Sequence, residues 1–124
     1  MSEYRMSNHH LDGDSFEMKG GGNVGVLLMH GLTATTTEVR LLAERLHAVG
    51  YDIVAPLLPG HGKTPQALDN VRYQDWLETA VSHYHHLATI YDHVFVGGES
   101  TGGVLALALA ARYPNIAGVL GYAP

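Results

Sequence analysis

The 124-residue sequence contains no cysteine. That excludes a disulfide framework, a thiolate metal site and a cysteine nucleophile. Basic residues are scarce. Seven Lys and Arg stand against twelve Asp and Glu, a formal net charge of −5 with nine His held neutral. Such a balance does not suit nucleic acid or an anionic membrane surface. Long apolar runs are missing too. The longest, Val104–Ala111, has eight residues, against the ~20 that a membrane helix needs. Met1 to His10 is polar and mixed in charge, without the apolar stretch of a secretion signal. The expectation is a soluble, cytoplasmic chain. No repeat, low-complexity tract or dividing linker is visible.

What is present is ordinary globular composition, 46% hydrophobic and 15% charged, with fifteen glycines. Residues 1–23 are mostly polar and end in the turn-forming Gly20-Gly21-Gly22-Asn23. A regular pattern then occupies 24–124. Val24–Met29 is an apolar run without alternation, which suits a strand buried on both faces. Thr35-Thr36-Thr37-Glu38 has the spacing of a capping box, with Thr35 as N-cap. Val39, Leu42, Ala43, Leu46 and Val49 follow at helical spacing, and Gly50 stops the helix. Tyr51–Ala55 reads as a strand, and Pro56 to Asn70 as a loop. A helix is predicted over Tyr73–Ile90, a strand over His93–Gly97, a helix over Thr101–Tyr113 and a strand over Ile116–Tyr122. This alternation predicts an α/β fold: helices layered on both faces of a mostly parallel sheet. The last strand carries Val119, Leu120 and Tyr122 and no charge, so it is poorly suited to a free edge. The order reads as the first part of a larger domain.

Gly98-Glu99-Ser100-Thr101-Gly102 matches G-x-S-x-G, between an apolar strand and an Ala/Leu helix. A sharp strand-to-helix turn would expose the Ser100 oxygen above the carboxyl ends of the strands. Glycines two residues to either side leave room for the turn. The helix N-terminus below it favours negative charge, and the Thr101 N–H would meet a developing oxyanion. The competing reading is a plain glycine-rich turn with a capping serine. His30-Gly31-Leu32 closes the first parallel strand at the same edge of the sheet, which makes the Leu32 N–H the natural second donor.

Three motifs in order resemble the α/β-hydrolases: Val26 to Leu32, then Pro59-Gly60-His61-Gly62, then Gly98 to Gly103. Within that superfamily they are similar to bacterial carboxylesterases and monoacylglycerol lipases, over about residues 24–124. The resemblance implies an ester hydrolase working through an acyl-serine. Ser100 would be the nucleophile, with Leu32 and Thr101 supplying the oxyanion hole. The expected partner is a small-molecule ester. No metal or organic cofactor is implied.

One departure is large. In these enzymes the acid and then the histidine follow the serine, yet residues 101–124 contain no Asp, Glu or His. The resemblance therefore implies a companion C-terminal segment carrying Asp or Glu and His. Upstream groups are weak substitutes. His30 reads as a ring that fixes the oxyanion loop, and His61 as a turn residue bonded to backbone. His83, His85 and His86 lack the i, i+4 spacing of a helical zinc site and read as a solvated face. His9, His10, His47 and His93 have no motif around them. Glu99 adjoins the serine, whereas a triad acid must act from the far side of the base. Trp76 reads as core or partner surface. Leu57–Asn70 is either a connection or the border of an acyl pocket. The alternative to a serine esterase is a non-catalytic fragment or interaction module. A third reading is an acyltransferase or another hydrolase on the same scaffold.

Overall fold

The computed structural model describes residues 13–62 and 65–122. The elements run β1 (Phe16–Met18), β2 (Val24–Met29), α1 (Thr37–Ala48), β3 (Asp52–Ala55), α2 (Tyr73–Ile90), β4 (His93–Glu99), α3 (Thr101–Arg112) and β5 (Gly118–Tyr122). A short 3-10 turn, Pro65–Leu68, interrupts the loop after β3. The sheet order is β1-β3-β2-β4-β5. β3, β2, β4 and β5 are parallel and β1 is antiparallel. The α/β architecture read from the alternation is the architecture observed.

β2 lies at the centre, which explains its lack of alternation. Val26 and Leu28 pack with Val39, Ala43, Ile53 and Ala55 on the α1 face. Leu27 and Met29 point the other way, into a cluster with Trp76, Ala80, Leu87, Leu105 and Leu109 of α2 and α3. Side chains that alternate between two cores must all be apolar. The same centrality brings the carboxyl ends of β2 and β4 side by side, with Met29 in register with Gly98.

Two local expectations changed. The polar segment before Val24 contributes β1, a three-residue strand on the β3 edge. It is too short for a periodic signal and is held by tertiary contacts. The Arg40 guanidinium lies 4.0 Å from the centre of the Phe16 ring, and the Leu57 N–H donates to Ser15 Oγ at 2.7 Å. The capping box at Thr35 does not form. The N-cap is Thr36, in helical conformation and without a side-chain cap. Thr35 Oγ1 sits 2.8 Å from Thr37 Oγ1, and the Glu38 carboxylate is turned to Gly31 instead. The Gly31 amide outside the helix takes the carboxylate in place of the local cap. His9 and His10 lie outside the described residues.

Next to β2, Asp52 is 4% exposed. It accepts from the Tyr91 hydroxyl at 2.8 Å and from the Gly20 N–H at 2.8 Å. Burial alone would raise its pKa, but hydrogen bonds from Tyr91 and the amides of Gly20, Gly22 and Gly21 outweigh it, and the carboxyl is held below its usual range. The Tyr91 phenol is pushed up to about 12 by burial and by its bond to Asp52. Gly25 makes room for this tyrosine, since a Cβ there would stand 2.6 Å from the ring.

Candidate active site

Ser100 is the single residue between β4 and α3, at φ 55° and ψ −117°. Positive φ is strained for any residue with a Cβ and persists only where packing enforces it. The packing is specific here. A Cβ on Gly102 would stand 2.0 Å from the Met29 carbonyl oxygen, and one on Gly98 would stand 2.4 Å from the Gly102 carbonyl carbon. The start of α3 is thus seated directly on the end of β2. Ser100 itself is exposed, and its carbonyl accepts the Val104 N–H at 3.1 Å as α3 begins.

The loop after β2 lies against this turn. A Cβ on Gly31 would come within 3.2 Å of the Glu99 carbonyl oxygen and 3.3 Å of Ser100 Cβ. Backbone amides on either side of Leu32 are tied down. The Gly31 N–H donates to Glu38 Oε1 at 2.6 Å, and the Thr33 N–H to His61 Nε2 at 2.9 Å. Thr33 is the second non-glycine residue at positive φ, 66°, an unusual state for a β-branched side chain. Thr33 and Ser100 are the two non-glycine residues at positive φ among those described. Leu32 is 49% exposed at its rim. The segments that carry Ser100, Thr101 and Leu32 are brought together as the sequence motifs required.

His30 and His61 are framework. His30 is fully buried. Its Nε2 accepts the Leu58 N–H at 3.0 Å, so Nδ1 carries the proton and faces the Gly31 carbonyl at 2.8 Å. Burial, outweighing that hydrogen bond, lowers its pKa and favours the neutral ring. His61 accepts from Thr33 through Nε2, while its Nδ1 lies 3.3 Å from the Pro59 carbonyl. The two rings meet edge to face at 4.7 Å, and Trp76 stacks beyond them at 5.5 Å from His61. Trp76 Nε1 donates to Pro59 at 2.9 Å. Trp76 thus locks the Pro59–Gly62 turn, and this part of the loop braces the site from below. Both imidazoles have their ring nitrogens engaged by backbone, so neither is poised as a base.

Two carboxyls adjoin the turn. Burial raises the pKa of Glu99, and both repulsion from Glu38 and a hydrogen bond to it raise it further. Sequence reasoning missed Glu38 here, having assigned it to a helix cap. Its partner Gly31 is seven residues away and carries no side-chain signal. Among the described residues no group of three or more His, Asp or Glu converges to hold a metal ion, and no helix is long and apolar enough to cross a membrane.

Residues 23–124 match the sequence profile of a hydrolase family described as "Serine aminopeptidase, S33". The chain belongs to this family of α/β-hydrolases. It is 38% identical over 99 residues to a thermostable monoacylglycerol lipase from a Bacillus species, covering 80% of this chain and 40% of that protein. It is 37% identical over 95 residues to a carboxylesterase from Bacillus subtilis, covering 76% and 39%. Among solved structures, one from a study of LipS and LipT, two metagenome-derived lipolytic enzymes, superposes with a TM-score of 0.83 at 32% identity, covering 88% of this chain and 44% of that one. A monoacylglycerol lipase from Paleococcus ferrophilus superposes with a TM-score of 0.72 at 26% identity, over 86% and 41%. This α/β-hydrolase chain therefore spans about two fifths of the length of the curated relatives named here, whose 40% and 39% coverage sets that figure.

Proposed function

We propose that this chain carries the nucleophile and oxyanion site of a serine ester hydrolase of the carboxylesterase or monoacylglycerol-lipase kind. The observation that carries the reading is the strained, exposed Ser100, locked by Gly98 and Gly102 beside the anchored Gly31–Leu32 loop. Strain kept by tight packing at an exposed nucleophile serves preorganisation rather than stability. The lipase and esterase relatives support the same class.

In the proposed reaction Ser100 Oγ attacks the ester carbonyl carbon, and its proton passes to a histidine base. The carbonyl oxygen takes the negative charge and is met by the N–H groups of Leu32 and Thr101. Collapse breaks the ester C–O bond, and the alcohol leaves with the proton held by the base. Water then attacks the acyl-serine and releases the carboxylic acid. The base and its orienting acid come from a companion C-terminal segment, because residues 101–124 contain no Asp, Glu or His and His30 and His61 are committed to backbone.

Denaturing intact-mass analysis after incubation with a fluorophosphonate probe tests this reading. A mass increase on this chain, lost in Ser100→Ala, supports it, and hydrolysis of a p-nitrophenyl ester with water as acceptor separates an esterase from an acyltransferase. An unlabelled chain in the presence of all its natural polypeptide would overturn it in favour of a non-catalytic interaction module.

A further inference from the structure

The hydrogen bond between Glu38 and Gly31 joins the first turn of α1 to the loop that faces Ser100. It is short, 2.6 Å from the Gly31 nitrogen to Oε1, as expected when a carboxylate accepts an amide proton. Gly31 also lies against the turn at Ser100, where an added Cβ would meet Ser100 Cβ at 3.3 Å and the Glu99 carbonyl oxygen at 3.2 Å. A carboxylate bonded to the Gly31 N–H holds the His30–Gly31 peptide, one residue before the Leu32 amide. Helix capping does not need this glutamate in that place, since the α1 N-cap has no side-chain bond.

We propose that Glu38 is a positioning residue for the oxyanion loop. The inference rests on the hydrolase reading of Ser100. The Glu38 carboxylate anchors the Gly31 N–H at 2.6 Å, and His61 anchors the Thr33 N–H at 2.9 Å. Leu32 lies between these two anchors, so releasing the first frees the amide that would meet the oxyanion.

The test pairs kinetics with a readout independent of turnover. In the intact protein, Glu38→Ala is expected to lower kcat for p-nitrophenyl butyrate about tenfold or more with KM changed less than about twofold, because the loss falls on the transition state. Glu38→Gln keeps an acceptor oxygen and rescues most of that loss. In NMR spectra of the same samples, the Gly31 amide proton is expected to lie downfield in the wild type and to move upfield in Glu38→Ala. A Gly31 amide indifferent to Glu38→Ala, in a spectrum otherwise native, would overturn the proposal. Equal kcat in wild type and Glu38→Ala would do the same. Failure of the wild type to react with a fluorophosphonate would instead refute the hydrolase reading, while the Gly31 amide shift still decides whether Glu38 grips the loop.

Discussion

Replacing Gly102 by alanine tests whether the seating of α3 on β2 shapes the strained turn at Ser100. The new Cβ would stand 2.0 Å from the Met29 carbonyl oxygen, 2.6 Å from its carbon and 2.8 Å from the His30 carbonyl oxygen, whereas ordinary contact begins at 3.4 Å. All three atoms are backbone, two of them in the central strand, so no side chain can swing aside. The start of α3 must withdraw by about an ångström or more. Overpacking of this kind costs about 1–3 kcal/mol, with the upper end apt where backbone must move. Alanine returns at most ~1 kcal/mol of helix propensity, so a net loss of about 2 kcal/mol is expected. For a domain of this size that lowers Tm by about 8 °C. The same displacement moves Ser100 against the Leu32 loop, and an ångström of misplacement costs about a hundredfold in rate. Urea and thermal unfolding measure the first quantity, and the rate of fluorophosphonate labelling the second. Gly121→Ala is the control, because a Cβ there meets nothing within 4 Å. A Gly102→Ala protein with wild-type Tm and labelling rate would refute the claim that contact with Met29 shapes the turn.

Other predictions follow from the same contacts. Ser100→Gly should raise stability by about 1 kcal/mol, since glycine accepts the positive φ without strain, while abolishing labelling; chemical denaturation and mass analysis read the two effects. His61→Ala removes the acceptor for the Thr33 N–H and should lower kcat about tenfold with a stability loss of about 1–2 kcal/mol, and an unchanged kcat would show that the loop does not need this brace. Tyr91→Phe removes a hydrogen bond to the Asp52 carboxylate and should cost about 1.5 kcal/mol at neutral pH. Because the folded Asp52 pKa is depressed, its contribution is present above the unfolded value and is lost as pH falls through the lower folded one. The penalty of Tyr91→Phe should therefore shrink below about pH 4, as urea midpoints measured across the acid range would reveal.

Much of this protein could be read from residue order alone. Continuous apolar runs such as Val24–Met29 signal strands with a core on each face. The alternation with amphipathic helices leaves a parallel sheet as the consistent answer, and G-x-S-x-G at a strand-to-helix junction marks the turn that carries Ser100. These are local patterns with a fixed period, or a steric demand confined to a few neighbouring residues. His61 was also legible as framework from its place in the Pro59–Gly62 turn, whereas His30 was read so only through the family resemblance.

Tertiary structure alone decided the rest. Strand β1 pairs through only three residues, too few to show a period, and depends on Arg40 and Ser15 finding partners far along the chain. The role of Glu38 was hidden because a first-turn glutamate suits a capping box equally well. The competing donor, the Gly31 amide, is a backbone group that every residue but proline possesses. What puts it within 2.6 Å of that carboxylate is the arrival of β2 and α1 at one corner of the sheet. Hydrogen-bond choice between two geometrically available donors depends on distances set by the whole fold, and no pattern in the order of residues encodes them directly.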